Sequence, residues 1–102
     1  MSLTRTYNCA YNYSVFEWDL VKAKHNHEKH GIAFADTFGV FEDPRSLTIE
    51  RRVRGELRYV TIGLDAFERL LVVVYTRRGK RIRIISARKA CRDEVNQYEG
   101  EI

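Results

Sequence analysis

Hydrophobic positions along the chain change period several times, and each change marks a new element. Leu70 to Thr76 is a continuous apolar run rich in β-branched residues, and Arg81 to Ala87 alternates charge with isoleucine. With the glycine of Arg77 to Lys80 between them, these stretches predict a β-hairpin running into a C-terminal helix that reaches Tyr98. Strand side chains project with period two, so inward Ile82 and Ile84 put Arg81 and Arg83 on the outer face. Ser86 and Arg88 then fall where the strand ends, a place from which a rigid sheet can present polar groups to a ligand.

Upstream, Ser14 to Trp18 is a short strand with Phe16 and Trp18 on one face. Asp19 stands where a helix N-cap belongs, the helix runs from Leu20 to His30, and Gly31 can adopt the positive φ that ends it. Leu20, Ala23, His27 and His30 share a stripe on it, whereas His25 points elsewhere. Phe34, Phe38 and Phe41 recur at helical spacing and predict a second helix, Ala33 to Phe41, whose aromatic face is core. Pro44 stops that helix. Leu47 to Glu50 is a strand, Arg51 to Glu56 a polar connection around Gly55, and Leu57 to Leu64 a strand with Arg58, Val60 and Ile62 on one face. Asp65 to Glu68 turns the chain into the hairpin.

The order is β, α, α, four strands joined by short turns, then α. Short turns enforce antiparallel pairing, because a parallel crossover needs a dozen or more residues. The expected fold class is therefore α+β: a twisted antiparallel sheet with two N-terminal helices packed on one face and a C-terminal helix. Residues 1–15 are expected to be an N-terminal arm, disordered or extending the first strand, and residues 16–99 a single domain.

Composition narrows the function. The chain has 102 residues and a single proline, enough for one modest core. No apolar run is long enough to span a membrane, and no signal-peptide segment is present, so a cytoplasmic protein is expected. Two cysteines, Cys9 and Cys91, are too few for a disulfide framework or a thiolate metal site. Charge is divided unevenly: residues 51–92 hold thirteen Arg or Lys against three acids, and the remainder five against eleven. Such a basic segment suits a polyphosphate partner, although a solvated surface would have the same composition.

Glycine-rich phosphate loops, paired CxxC motifs, GxSxG elbows and HExxH are all missing. The histidines of HNHEKH at 25–30 invite a metal reading, but His27 and His30 make only two ligands and nothing completes the set. His30 is then either a hydrogen-bonded helix-end histidine or a general acid or base with a pKa near neutrality. No cofactor is expected. The remaining Arg, Lys, His and Tyr suit cleavage of RNA by its own 2′-hydroxyl, which needs alignment, two proton transfers and cations on a pentacoordinate phosphate.

FEWD at 16–19, Lys22, Asn26, KHG at 29–31, VFEDP at 40–44, RYVTIG at 58–63, LLVVVYTRRG at 70–79 and RIRIISARKA followed by Glu94 and Tyr98 resemble the BrnT family. These are ribonuclease toxins of type II toxin–antitoxin systems with a RelE-like fold. The resemblance covers Phe16 to Tyr98. It implies a metal-independent endoribonuclease that inhibits translation and is neutralised by a cognate BrnA-type antitoxin, through which alone it would meet operator DNA. A homodimer, or a heterotetramer with the antitoxin, would be the assembly.

Carried over by position, the catalytic candidates are Lys29, His30, Arg58, Arg83, Arg88 and Tyr98, with Arg81, Ser86 and Lys89 binding substrate and Glu94 orienting. His30 or Tyr98 would be the base and Lys29 or Arg88 the acid. Where relatives carry Ser or Thr before the last helix, this chain has Cys91, a poor acceptor that costs the helix start about 1 kcal/mol. The alternatives are a non-catalytic nucleic-acid-binding module and an interaction domain for an acidic protein.

Overall fold

The computed structural model describes residues 4–9 and 14–100. Its elements are β1 (Thr4–Cys9), β2 (Ser14–Asp19), α1 (Leu20–His30), a 3-10 segment (Phe34–Glu42), β3 (Leu47–Val53), β4 (Glu56–Leu64), β5 (Leu70–Arg78), β6 (Arg81–Lys89) and α2 (Arg92–Tyr98). The strands form one sheet in the order β1-β2-β6-β5-β4-β3. Of the expected N-terminal arm, Thr4–Cys9 pair with β2, while residues 1–3 and 10–13 lie outside the described ones.

The sheet is mixed, which corrects the all-antiparallel expectation. From β3 to β6 the pairing is antiparallel, but β2 lies parallel to β6, Glu17 opposite Arg83. Short turns govern only strands adjacent in sequence. Everything from α1 to β5 separates β2 from β6, ample length for the crossover that parallel pairing requires.

Two hairpins are tighter than expected. The polar stretch Arg51 to Glu56 is mostly strand: β3 continues to Val53 and the loop is only Arg54 (φ 53°) and Gly55 (φ 81°), the positive pair of a type I′ turn. The strand expected at Leu47 to Glu50 is present, but its continuation through Arg51 to Val53 reads as a loop because β3 is an edge strand, exposed along almost its whole length, and its charges guard that edge. Likewise β5 and β6 meet across Gly79 and Lys80 alone, and β6 extends to Lys89, so Ser86 and Arg88 lie within it rather than beyond its end.

The second helix is also corrected. Phe34–Glu42 is a 3-10 segment, and its buried residues Phe34, Thr37 and Val40 recur every three positions, as three residues per turn demands. The aromatic face is core, as expected: Phe38 stacks on Phe16 at 4.4 Å and Phe41 meets the Tyr75 ring edge-on. The segment packs closely on the strands and turn beside it. A Cβ on Gly39 would stand 2.8 Å from the Ala66 nitrogen, and one on Gly63 2.9 Å from Val40 Cγ1.

The core lies between one sheet face and the layer of α1 and the 3-10 segment, with Phe16, Trp18, Ile32, Phe34, Val73, Tyr75 and Ile84 buried. A bulge near Val74 and Tyr75 makes Tyr75 face Ile84 and Val74 face Ser86. That extra residue flips the parity of β6, so Ala87 joins the core while Ser86 and Arg88 share the opposite face.

Candidate active site

Asn26 organises the first cluster. Beyond Arg83, β2 no longer borders β6, and α1 occupies the vacated edge. The buried Asn26 amide closes that edge: Nδ2 donates to the carbonyls of Ala87 (2.8 Å) and Ile32 (3.0 Å), and Oδ1 accepts from the Ala87 N–H (3.1 Å). A buried side chain thus stands in for a missing strand, which fixes α1 in register with β6. Aligned beside Asn26, Lys22, His25, Lys29 and His30 face Ser86 across a depression of about 250 Å³.

Of the sequence candidates, Lys29, His30 and Ser86 are therefore brought together. His25, expected to point away, joins them, whereas His27 does not line this depression. The spacing of Lys22, His25, Asn26 and Lys29, at intervals of three, one and three, was the legible signal for this stripe.

The arginines are distributed along the other sheet face. Arg51 lies opposite Arg58, and Thr76 opposite Arg83, whose parallel neighbour is Glu17. Continuing the β4–β5 register by one residue sets Arg58 beside Thr76, so these side chains form one row across the sheet. Glu17, 5% exposed, accepts from Arg83 at 3.0 Å and from Arg81 at 3.2 Å. Arg58 pairs with Glu56 at 3.0 Å. Glu17, missed in the sequence, is thus the anchor of two candidate phosphate ligands. Its strand alternation with Phe16 and Trp18 was the available clue.

Next to that row run two more: Ile49, Val60, Val74 and Ser86, then Leu47, Ile62, Val72 and Arg88. α2 borders this face. The two terminal nitrogens of Arg88, Nη1 and Nη2, donate to the Glu94 carboxylate at 2.8 Å, and Glu94 Oε1 also accepts from the Cys91 N–H at 2.8 Å. The Arg88 bond, helped by that backbone donor and opposed by burial, holds the Glu94 carboxyl at about 2. Glu94 in turn raises Arg88.

Tyr98 lies elsewhere, at the far end of α2. Its hydroxyl donates to Asp43 Oδ2 at 2.6 Å, and Arg45 stands over its ring. That bond is the main reason its pKa is raised above the usual 10.0, so Tyr98 is a donor at neutral pH. Burial tends to raise the Asp43 carboxyl, but the bonds from Tyr98, Leu64 N–H and Arg45 N–H hold it below its usual value. Lys89 is exposed at the end of β6.

Among the described residues, no group of three His, Cys, Asp or Glu is placed to hold a metal ion, and no helix is long and apolar enough to cross a membrane.

A family model described as "Ribonuclease toxin, BrnT, of type II toxin-antitoxin system" matches residues 18–94. The crystal structure of the Brucella abortus ribonuclease toxin BrnT matches with a TM-score of 0.58 and 27% identity, covering 74% of this chain and 94% of that one. No curated protein matches the chain.

Proposed function

This chain belongs to the BrnT family of ribonuclease toxins of type II toxin–antitoxin systems, and from that premise we propose a metal-independent endoribonuclease whose reacting phosphate binds between α1 and β6. The observation that carries this reading is the meeting of Lys22, His25, Lys29 and His30 with Ser86 in one depression. It joins imidazoles, whose ring nitrogens can take or give a proton, with ammonium groups able to hold an anion.

In the proposed reaction, His30 takes the proton of the 2′-hydroxyl as that oxygen attacks the adjacent phosphorus. The P–O5′ bond breaks, and Lys29 supplies the proton to the departing 5′-oxygen. The products are a 2′,3′-cyclic phosphate and a 5′-hydroxyl. Lys22 and the Ser86 hydroxyl would hold the non-bridging oxygens, where fixed donors gain most as charge develops. Arg83 and Arg81, oriented by Glu17, lie on the same strand; Arg83 is about 10 Å from Ser86 by strand rise. They suit the neighbouring phosphates, and Arg58 lies in Arg83's row. Arg88, held by Glu94, borders Ser86, and Lys89 adds positive charge at the strand end. We assign Tyr98 a positioning role, because its bond to Asp43 secures α2 and hence Glu94 and Arg88.

The same reading takes the fold as RelE-like, the site of action as the cytoplasm, the effect as inhibition of translation, and the neutralising partner as a BrnA-type antitoxin that carries the operator-binding part. A dimer or heterotetramer would be the assembled form.

A defined RNA incubated with purified protein in EDTA should give fragments with 2′,3′-cyclic phosphate ends. His30→Ala and Lys29→Ala should each lose on the order of a hundredfold in rate, and a 2′-deoxy substitution at the scissile nucleotide should abolish the cut. Cleavage of the 2′-deoxy substrate, or full activity of both variants, would sink the mechanism. Salt-sensitive binding with intact RNA would point to the non-catalytic module instead.

A further inference from the structure

The sheet face bordered by α2 is unusual for its mixture of rows. Ile49 is 55% exposed and Leu47 40% exposed, and with Val60, Ile62, Val72 and Val74 they floor a groove of about 500 Å³. Along one side of this apolar floor runs the row of Arg51, Arg58 and Arg83. Glu56 and Glu17 already pair with Arg58 and Arg83, whereas Arg51 has no ion-pair partner among the described residues. On the opposite side stands α2.

Two kinds of macromolecule could occupy a basic groove, and the floor discriminates between them. RNA bases gripped by a protein surface are commonly stacked on aromatic rings. None of the three rows contains an aromatic residue; Tyr59 and Tyr75 stack together on the opposite face. Aliphatic side chains left open beside unpaired guanidinium suit an amphipathic polypeptide instead. The dimensions agree. From Ile62 to Arg58 is about 13 Å along the strand by rise, close to the width of one α-helix with its side chains, about 10–12 Å.

We propose that this groove receives an amphipathic helix of the antitoxin. Its apolar stripe lies on the Ile49, Val60 and Val74 row, and its carboxylates face Arg51 and Arg58. The inference rests on the toxin reading above and adds where, and by what chemistry, the partner binds. A helix seated there covers Arg58 and lies beside Ser86, so it obstructs the path of RNA while leaving the α1 histidines unaltered.

The test is calorimetric titration of the purified toxin with its cognate antitoxin, alongside cleavage of a defined RNA by the free toxin. Ile49→Asp and Arg51→Glu alter exposed side chains outside the proposed reacting groups, and circular dichroism checks their fold. Each should weaken antitoxin binding on the order of tenfold or more, leave free-toxin cleavage at the wild-type rate, and reduce complex-induced amide protection in β3 at limiting antitoxin. Unchanged affinity in both folded variants, with wild-type toxin bound and inhibited, overturns the docking site alone. Lost cleavage with unchanged antitoxin affinity assigns the groove to RNA and likewise overturns it. A wild-type toxin that neither cuts RNA nor binds the antitoxin removes the functional reading, and the docking site falls with it.

Discussion

At the scale of single residues, Glu94 links fold stability to acidity. Its carboxyl titrates at about 2 against an ordinary 4.5, held there chiefly by Arg88. A depressed folded pKa contributes stability above the unfolded value that disappears as pH falls through the folded one. Thermal melts of wild type and Glu94→Gln should therefore differ most above pH 4.5 and converge as pH approaches 2. A constant difference across that window would refute the assignment. Tyr98→Phe removes only the donor to Asp43, and should cost about 1 kcal/mol in chemical denaturation. If Tyr98 positions α2 without exchanging protons, this variant keeps most of its RNA cleavage and the pH–rate profile of wild type; a profile that loses one limb would make the phenol a proton donor. Asn26→Leu strands the Ala87 N–H in the interior and removes the donor to two carbonyls. Roughly 3 kcal/mol should be lost, measured by denaturant unfolding.

Between residues and the whole lie the elements, where local geometry sets tolerance. Gly39 is confined by backbone rather than by flexible side chains, since its missing Cβ would face Ala66 N at 2.8 Å and Asp65 C at 3.3 Å. Gly39→Ala should cost about 2 kcal/mol and lower the melting temperature, because the 3-10 segment must lift from the β4–β5 turn. That turn cannot yield easily: Asp65 accepts from the Phe67 and Arg69 backbone N–H groups and from the Arg69 side chain. α2 offers the opposite case. Both halves of its capping box are in place, with Glu94 accepting from the Cys91 N–H and the Cys91 side chain facing the Glu94 N–H, but a thiol stands where a hydroxyl accepts better. Cys91→Ser should stabilise the protein by up to about 1 kcal/mol, read from the same denaturation curves; no gain would mean that the thiol caps as well as a hydroxyl.

For the molecule as a whole, charge is organised by the sheet rather than by the chain. The basic segment 51–92 does not form one uniform cationic patch: Glu17 reaches Arg81 and Arg83 from β2, and Glu56 holds Arg58. Fewer cations are thus free for phosphate than the count of Arg and Lys implies, and the affinity for RNA should fall with salt more gently than thirteen basic residues would dictate. A filter-binding series in rising salt with an uncleavable RNA checks this. Removing the acid in Glu17→Gln should steepen the dependence, because two guanidinium groups then need counterions.

Much of this architecture was written in local pattern. Asp19 and Gly31 bounded α1, the alternation of Arg81 to Ile84 oriented β6, and Phe34, Phe38 and Phe41 marked core, because capping, period and burial act within a few residues. The family followed from spaced motifs for the same reason. What the pattern could not contain were relations between distant segments. Parallel pairing of β2 with β6, the bulge that turns Ser86 and Arg88 to the outer face, the winding of the second helix around Gly39, and the capture of Arg83 by Glu17 and of Tyr98 by Asp43 each depend on a partner chosen by packing. The chain alone therefore determined which groups are present and where most strands and helices begin and end. The folded molecule decided which of them meet, since the free energy of a buried pair belongs to both partners and is encoded in neither neighbourhood.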